Sequence, residues 1–310
     1  MTLLFSSKTD DAERWRKALK AELPDLAFRV WPDDVGPPEA IEYALAWGPK
    51  RGALKAYPNL KAIFSLGAGV DHLMGDRELP DDVPVVRLVD PGLTTGMSEY
   101  VVYWVLHFHR RFGDYARLAA EKTWKQLPQA SPRKRRVGIM GLGVMGGDAA
   151  RKLRALEFDV AGWSRSPKSL PGVPGFQGRD GFRDFLGRTD ILVCLLPLTP
   201  DTRAILNAQT FSRLPGGAVV INAARGGHLV DDDLLAALAT DQLSAAVLDV
   251  FHAEPLPPDH PFWTHPKITV TPHAASLTMP ETAAKAVAEN IRRIRKGEPP
   301  EPIVDPGRGY

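Results

Sequence analysis

The sequence predicts an α/β fold, in which the strands of parallel sheets alternate with helices. Short apolar runs recur along the 310 residues and alternate with segments of helical periodicity. Several of these runs end in turn residues, such as Gly-Pro at positions 48–49 and Pro-Gly at positions 91–92. At roughly 100–200 residues per domain, the length suggests two domains.

The N-terminal third contains the elements of a first lobe. We expect a polar helix at residues 11–21 and strands at residues 3–5, 44–47, 62–65 and 85–89. Ser98 is a favourable N-cap residue and predicts a helix over residues 99–111. The core of this helix, residues 100–106, is apolar on every face, so it has to be covered. A domain junction or a subunit interface would cover it, and we expect a homodimer.

The clearest supersecondary unit follows a linker at residues 128–136. A strand at residues 136–140 leads into a glycine-rich turn and then into a helix with Ala149, Leu153 and Leu156 on one face. Further strands are predicted at residues 160–164, 191–196, 218–222, 245–250 and 268–271. The last predicted helix, residues 281–296, ends at Gly297.

The glycine-rich turn has the G-x-G-x-x-G spacing of a dinucleotide-binding fingerprint and consists of Gly141, Leu142, Gly143, Val144, Met145 and Gly146. The first glycine permits a tight turn, the second lets a pyrophosphate approach the backbone, and the third lets helix and strand pack closely. The helix N-terminus offers N–H groups and a positive dipole end to the phosphates. Because the motif lies between a strand and a helix, the sequence predicts a dinucleotide site.

Cofactor specificity is expected at the end of the next strand. An NAD enzyme usually carries Asp or Glu there to bind the ribose 2′-hydroxyl. This chain has no carboxylate in residues 164–168 and contains Ser164, Arg165, Ser166 and Lys168 instead. Hydroxyl groups and cations suit a 2′-phosphate, and a polar surface turn is the alternative interpretation. We expect NADPH as the preferred cofactor and NADH as a second one.

Three polar residues follow apolar strands of the C-terminal half: Arg225, Glu254 and His273. Ligands of open α/β sheets bind outside the carboxyl ends of the strands, so the three side chains are predicted to face one crevice. Arg225 can bind a carboxylate through its planar, bidentate fork. The His273 imidazole can protonate the alkoxide formed by hydride transfer, and Glu254 would stabilise the imidazolium. These residue types suit the reduction of a 2-oxo acid.

Each of these residues also has an ordinary structural interpretation. Arg225 precedes two glycines and Glu254 precedes a proline, and both patterns are common in surface turns. His252 lies only two residues from Glu254 and competes with His273 for the role of the acid. The residues alone leave this choice open.

The composition excludes several other classes of protein. Hydrophobic residues make up 44% and charged residues 25%, which is typical of globular chains. A net charge of +2 does not favour a nucleic acid or a membrane surface as the partner. The single cysteine, Cys194, excludes an internal disulfide framework, and we expect no metal. Residues 1–10 lack the apolar region of a signal peptide, so we expect a cytoplasmic protein.

Several motifs extend over nearly the whole chain. They are SLGAGVDH at residues 65–72, VGIMGLGVMG at 137–146, WSRS at 163–166, NAARG at 222–226, LDVFxxEPLP at 248–257, TPH at 271–273, and Arg308-Gly309-Tyr310 at the end. Together they resemble the D-isomer-specific 2-hydroxyacid dehydrogenases, and most closely the glyoxylate/hydroxypyruvate reductase A branch of that family.

The resemblance implies roles for individual residues. Arg225, Glu254 and His273 would be the catalytic residues, which favours His273 over His252. The substrate would be contacted by Arg225, His273, the ring of Trp47, and the backbone N–H groups of Ala68 and Gly69. The cofactor groove would be lined by Leu196, Pro197, Thr202, Ala223, Ala224, Arg225, Asp249 and His273.

The resemblance also implies a domain organisation and an activity. A discontinuous, flavodoxin-like substrate-binding domain, residues 1–98 and 280–310, would accompany an NAD(P)-binding Rossmann domain, residues 99–279. The implied activity is the NADPH-dependent reduction of small 2-oxo acids such as glyoxylate and hydroxypyruvate, by a homodimer. Two alternatives stay open: the same chemistry on a bulkier 2-oxo acid such as an aryl pyruvate, and a non-catalytic protein that senses dinucleotides.

Overall fold

The computed structural model describes residues 1–305 and Gly307. The last motif of the family resemblance, Arg308-Gly309-Tyr310, lies outside the described residues. The chain divides into two compact units: the first comprises Met1–Leu93 and the C-terminal residues from Leu277, and the second comprises Thr94–Ser276. Both divisions fall a few residues before the boundaries expected from the sequence.

The strands alternate with helices along the chain. The strands are β1 (Thr2–Ser6), β2 (Ala27–Val30), β3 (Tyr43–Ala46), β4 (Ala62–Ser65), β5 (Val85–Val86), β6 (Arg136–Met140), β7 (Asp159–Trp163), β8 (Gly175–Phe176), β9 (Ile191–Cys194), β10 (Ala218–Asn222), β11 (Leu243–Leu248) and β12 (Ile268–Val270).

The α-helices are α1 (Ala12–Glu22), α2 (Asp71–Met74), α3 (Pro91–His109), α4 (Phe112–Ala120), α5 (Val144–Ala155), α6 (Gly178–Gly187), α7 (Ala208–Phe211), α8 (Asp231–Ala239) and α9 (Pro280–Arg295). Within the described residues, none of the helices has both the length and the apolar character needed to cross a bilayer.

The first unit is built on a parallel sheet with the strand order β2-β1-β3-β4-β5. This is the flavodoxin-like order of a doubly wound sheet. Every residue of β3 and β4 is buried, which explains their uninterrupted apolar runs. Helix α1 begins after the capping carboxylate of Asp11 and buries Trp15 and Leu19 completely. Each of these side chains stabilises the unit by roughly 1.5–3 kcal/mol.

The second unit is built on a larger parallel sheet with the order β12-β11-β10-β9-β6-β7-β8 in its described residues. Strand β6 pairs with β7 on one side and with β9 on the other. The strand order therefore reverses at β6, and the crevice for a ligand lies outside the carboxyl ends of β6 and β9. The predicted α/β class, with one Rossmann-type and one flavodoxin-like sheet, is confirmed.

The structure corrects the start of the long helix. The sequence predicted a helix over residues 99–111 that is capped by Ser98, but α3 already begins at Pro91. The Asp90 carboxylate accepts a hydrogen bond from the Leu93 N–H (3.0 Å), and proline is favourable in a first helical turn because it lacks an N–H group. Ser98 is instead a buried residue inside the helix, and its hydroxyl donates to Asp148 (2.7 Å).

Candidate active site

The turn between β6 and α5 depends on close backbone packing at two glycines. Gly141 has a φ of 99°, in the left-handed region where a residue with a Cβ is strained. A Cβ at Gly141 would also lie 2.8 Å from the carbonyl oxygen of Leu195. A Cβ at Gly146 would overlap the carbonyl oxygen of Gly141. The two glycines therefore allow the tight turn and the close approach of α5.

Gly143 has a different environment from its two neighbours in the motif. It is the N-cap residue of α5, where no side chain caps the helix, and no atom outside residues 142–144 lies within 4 Å of the position a Cβ would take. The N–H groups of the first turn carry the positive end of the dipole of this 12-residue helix. A phosphate group therefore fits in front of Gly143, where a larger side chain would occupy the same space.

The other fingerprint residues can offer only backbone groups or exposed surface to a ligand. Leu142 is buried and packs its side chain against Gly162. Met145 packs against the hydrophobic cluster of the second unit to which Leu142 also belongs. Val144 is half exposed at the start of α5. Two of the three side chains thus hold the turn in place.

The segment that follows β7 presents hydroxyl groups and cations. The Ser164 hydroxyl donates to the carbonyl oxygen of Ser166 (2.7 Å), which bends the chain into a compact turn. The side chains of Arg165, Ser166 and Lys168 are exposed beyond this turn. A 2′-phosphate would meet donors and positive charge here, and no carboxylate of the segment would repel it.

The loop after β9 is held in shape by Thr202. Its hydroxyl donates to the carbonyl oxygen of Pro197 (2.7 Å) and accepts from the N–H of Thr199 (2.8 Å). Leu196 is buried in the core next to this loop. Thr202 therefore fixes the backbone of residues 197–202 at the carboxyl end of β9, beside the glycine-rich turn.

The three candidate catalytic residues follow three neighbouring strands, because β10 pairs with β11 and β11 pairs with β12. Arg225 follows β10 after the buried residues Ala223 and Ala224. Its guanidinium donates to the carbonyl oxygen of Ala224 (2.7 Å), and its own carbonyl oxygen accepts from the side-chain amide of Asn222 (3.1 Å). The turn that carries the arginine is thus fixed from both sides.

The arginine turn also lies directly against the loop that leads to Glu254. A Cβ at Gly226 would overlap the backbone of Phe251 and His252. Glycine is therefore the residue that lets the two loops touch at this position. This contact brings the backbone next to Arg225 against the backbone next to Glu254.

Glu254 and His273 form a hydrogen-bonded pair. His273 Nδ1 lies 2.7 Å from Glu254 Oε2, and Glu254 Oε1 accepts from the N–H of Phe251 (2.9 Å). An ionised carboxylate only accepts hydrogen bonds, so Nδ1 of His273 carries the proton of this contact. The other ring nitrogen, Nε2, is then the atom that can exchange a proton with a ligand.

The surroundings of Glu254 keep it ionised. Partial burial of the carboxyl raises its pKa, but the hydrogen bonds from His273 and Phe251 lower it. The positive charges of His273 and Arg225 also lower this pKa, and the net pKa of Glu254 lies below its ordinary value. In this pair, the Glu254 carboxylate can therefore orient the His273 ring and stabilise its protonated form.

A buried carboxylate, that of Asp249, holds the loop of His273. His273 has a left-handed φ of 52°, which is unusual for a residue with a side chain. Its N–H donates to the Asp249 carbonyl oxygen (2.8 Å). The Asp249 carboxylate accepts from the N–H groups of Ala274 (2.8 Å) and Ala275 (3.0 Å) and from the hydroxyl of Thr271 (2.6 Å). These bonds stabilise the strained conformation that presents the imidazole.

Tyr100 of α3 extends this network. Its hydroxyl lies 2.8 Å from the Thr271 hydroxyl, and burial raises the pKa of Tyr100, so it stays a neutral phenol. Sequence reasoning did not identify the loop-holding contacts of Tyr100, Thr271 and Asn222, and it placed Asp249 only in the cofactor groove. Polar residues inside otherwise apolar strands, Asn222 and Asp249, were the signal that could have found two of them.

His252 lies in a different environment from His273. Its Nε2 faces the carbonyl oxygen of Leu229 (3.0 Å) and the carboxylate of Asp231 (3.4 Å). Glu254 is bonded to His273 instead. The geometry thus separates two histidines that the residues alone could not distinguish.

The first unit contains the other predicted substrate residues. The Trp47 ring follows β3 and lies against His72, with ring centroids 4.1 Å apart. A Cβ at Gly67 would be 2.7 Å from the Trp47 ring. Ala68 and Gly69 lie in the loop after β4, where the Ser65 hydroxyl donates to the carbonyl oxygen of Gly69 (3.0 Å).

Comparison with known proteins identifies the family. Residues 102–275 match the family model described as D-isomer specific 2-hydroxyacid dehydrogenase, NAD binding domain. The chain is 43% identical, over the full length of both proteins, to glyoxylate/hydroxypyruvate reductase A of Serratia proteamaculans. The chain belongs to the D-isomer specific 2-hydroxyacid dehydrogenase family. It is therefore an oxidoreductase with a nicotinamide dinucleotide-binding domain.

Solved structures of this dehydrogenase family have the same fold. A D-isomer specific 2-hydroxyacid dehydrogenase from Xanthobacter autotrophicus, in complex with NADPH and MES, is 43% identical and superposes with a TM-score of 0.96 over 100% of this chain and 99% of its own. An NADPH-dependent glyoxylate/hydroxypyruvate reductase from Sinorhizobium meliloti, in complex with NADP and sulfate, is 41% identical with a TM-score of 0.94 over 100% of both chains.

Two further features concern thiol chemistry and metal binding. Burial raises the pKa of the Cys194 thiol to about 12, so this cysteine is not a reactive thiolate. In the part of the chain that the structure describes, no group of three or more His, Cys, Asp and Glu side chains could hold a metal ion.

Proposed function

We propose that the protein reduces small 2-oxo acids, with glyoxylate and hydroxypyruvate as its substrates and NADPH as its preferred cofactor. The observation that carries the proposal is the 2.7 Å contact between His273 and Glu254 after two neighbouring strands of the dinucleotide-binding unit. The likeness to reductases of these two acids over the full chain supports the choice of substrates.

Arg225, Glu254 and His273 have different roles in the proposed reaction. Bound NADPH supplies the hydride that adds to the 2-oxo carbon while the π bond of the carbonyl breaks and its electron pair moves to oxygen. His273 donates the proton at Nε2 to that oxygen, and Glu254 stabilises the imidazolium before the transfer. Arg225 binds the carboxylate of the substrate and polarises the carbonyl group. The products are a 2-hydroxy acid, NADP⁺ and neutral His273.

The preference for NADPH is assigned to the segment after β7. We propose that Ser164, Arg165, Ser166 and Lys168 bind the 2′-phosphate, and that Gly143 and the first turn of α5 bind the pyrophosphate. The absence of a carboxylate from residues 164–168 supports this assignment. Two relatives whose structures contain NADPH or NADP are consistent with it.

The substrate contacts include residues of the first unit. We propose that Trp47 contacts the substrate and that the N–H groups of Ala68 and Gly69 bind its carboxylate. Two observations support this: the Trp47 ring is held by His72, and the Ser65 hydroxyl shapes the loop that carries both N–H groups.

Steady-state kinetics of the purified protein test the proposal. Glyoxylate, hydroxypyruvate and phenylpyruvate are each assayed with NADPH and with NADH. We expect the highest kcat/KM with the two small acids, and a kcat/KM about tenfold or more higher with NADPH, since one or two charge-assisted hydrogen bonds account for that ratio. Higher kcat/KM with phenylpyruvate would establish the bulkier substrate class, and no turnover of any acid would contradict the proposed activity.

A homodimer is the proposed assembly. Tyr103 of α3 and Phe112 of α4 are more than half exposed, and Trp124 in the following segment is fully exposed. Exposed aromatic side chains in one stretch of sequence are typical of a protein interface. Sedimentation analysis should give twice the mass of the chain, and Trp124→Ala should shift the protein toward the monomer. The cytoplasmic location expected from the sequence stays a prediction.

A further inference from the structure

His228 is a completely buried histidine that the proposed reaction does not use. It lies three residues after Arg225, in the short turn Gly226–His228 between β10 and α8. Its ring Nδ1 faces the carbonyl oxygen of Arg225 (3.1 Å), and its Nε2 faces the carbonyl oxygen of Pro197 (3.3 Å). The ring thus stands between the arginine turn and the loop after β9.

Both contacts join residues that the reaction needs in fixed positions. The Arg225 carbonyl oxygen is the anchor of the arginine turn, since it also accepts from the side chain of Asn222 (3.1 Å). The Pro197 carbonyl oxygen is the anchor of the 197–202 loop, since it also accepts from the hydroxyl of Thr202 (2.7 Å). In each loop, the imidazole therefore contacts a carbonyl oxygen that also accepts a hydrogen bond from a second side chain.

Backbone hydrogen bonds already join the His228 turn to residues 204–206, which follow the 197–202 loop. The N–H of Ala204 donates to the carbonyl oxygen of Gly227 (2.9 Å), and the N–H of Leu206 donates to that of His228 (2.8 Å). These bonds hold the end of the loop that is remote from Pro197. The His228 ring adds a contact at the beginning of the loop, 31 residues away in sequence, where the proposed cofactor groove starts.

We propose that His228 is a positioning residue that couples the substrate-binding arginine to the cofactor-binding loop. Both partners are carbonyl oxygens, which only accept hydrogen bonds, so the ring makes both bonds at once as an imidazolium, with Nδ1–H donating to Arg225 and Nε2–H donating to Pro197. The first bond sets the position of the Arg225 turn, and the second sets the position of the 197–202 loop. The inference rests on the proposed function, which assigns Arg225 to the substrate, and on the cofactor groove that the family resemblance implies, which Pro197 and Thr202 would line.

The two ring nitrogens can be tested separately with amides. The side-chain amide of asparagine takes roughly the place of Nδ1, and that of glutamine takes roughly the place of Nε2. His228→Asn keeps a donor for the Arg225 carbonyl oxygen and loses the contact to Pro197. His228→Gln keeps a donor that reaches Pro197 and loses the contact to Arg225. His228→Leu loses both contacts and fills the space.

The experiment measures three quantities for each variant: the Kd of NADPH by calorimetry, the KM of hydroxypyruvate at saturating NADPH, and the melting temperature. One hydrogen bond corresponds to a change of roughly three- to tenfold in a binding constant. We expect His228→Asn to raise the Kd of NADPH by that factor with the KM of hydroxypyruvate unchanged. We expect His228→Gln to raise the KM of hydroxypyruvate with the Kd of NADPH unchanged, and His228→Leu to raise both.

His109 provides the matched control. It is a buried histidine of the same unit, and its ring packs edge-on against Phe158, with centroids 5.0 Å apart. His109→Asn should lower the melting temperature as much as the His228 variants do, while the NADPH and hydroxypyruvate constants stay at their wild-type values.

The outcomes separate the inference from the proposed function. If His228→Asn and His228→Gln raise both constants to the same extent, or change neither, the coupling role is wrong although the wild type is active. If the wild type reduces no 2-oxo acid, the proposed function fails, and the calorimetric comparison of the two amide variants still decides the cofactor half of the inference.

Discussion

Two regions of the second unit are built by different means. The glycine-rich turn after β6 is a local structure, whose three glycines lie within six residues and act through the backbone. The cluster after β10, β11 and β12 is a non-local structure, in which Arg225, Glu254 and His273 come from separate strand ends. The turn depends on the absence of side chains at its three glycines, whereas the cluster depends on buried polar groups that hold each loop.

The difference explains where each region is vulnerable. In the turn, a single added methyl group meets the backbone at Gly141 or Gly146. In the cluster, the loss of one buried polar side chain removes the hydrogen bonds that hold a loop, because the His273 loop depends on Asp249 and the Arg225 turn depends on Asn222. Substitutions should therefore separate cofactor binding, proton transfer and folding.

The largest expected effect concerns proton transfer. His273→Ala should lower kcat by about 10²–10⁴-fold, because the substrate oxygen loses its positioned acid. The Kd of NADPH should stay within about threefold, since the glycine-rich turn is unchanged. Rapid-mixing kinetics and calorimetry measure the two quantities. An unchanged kcat would remove His273 from the role of the acid.

The next effect separates folding from cofactor binding within the turn itself. Gly146→Ala should lower the free energy of unfolding by about 1–3 kcal/mol or more, because its Cβ meets the Gly141 carbonyl oxygen. Gly143→Ala is the matched control, since no atom outside residues 142–144 lies within 4 Å of its Cβ position.

Gly143→Ala should leave the urea unfolding curve unchanged and raise the Kd of NADPH about tenfold, because the methyl group takes space in front of the helix N-terminus. Equal destabilisation by both substitutions would mean that the two glycines have the same structural role, contrary to the geometry.

A third effect concerns pH. The Glu254 pKa is lowered, so the carboxylate is present above its ordinary pKa and its pairing with His273 is lost only as the pH falls through the lowered value. Glu254→Gln removes the negative charge that stabilises the imidazolium. The alkaline limb of the kcat/KM–pH profile should then move to lower pH, and kcat should fall about tenfold or more. A profile that keeps its alkaline limb would show that Glu254 does not act through His273.

The smallest effect concerns the choice of cofactor. Arg165→Ala and Lys168→Ala should each raise the KM of NADPH about three- to tenfold and leave the KM of NADH unchanged, because only NADPH carries the 2′-phosphate. Arg179→Ala, at an exposed position of α6, serves as the control. Equal changes with both cofactors would place the two cations away from the 2′-phosphate.

The sequence allowed the α/β class, most strands of both sheets and the dinucleotide turn to be predicted, because their signals are local. It did not predict β2 or β8, which are short edge strands with exposed residues. It also missed α8, although the acidic residues 231–233 in its first turn are a helix-start signal.

The candidate site could be predicted only in part for the same reason. Strand-end positions identified Arg225, Glu254 and His273, but the residues alone could not choose between His252 and His273. That choice depends on which histidine faces Glu254, a contact between loops 19 residues apart. The contacts of His228 and Asp249 likewise exist only after β9 to β12 have paired.

The transfer of hydride from NADPH to a 2-oxo carbon is the central claim, and isotopic labelling tests it most directly. The purified protein is supplied with hydroxypyruvate and NADPH that carries deuterium at the transferable position of the nicotinamide ring, and the product is analysed by mass spectrometry and chiral chromatography. The account predicts glycerate of the D configuration with one deuterium at C2. Glycerate without deuterium at C2, or no glycerate, would contradict it.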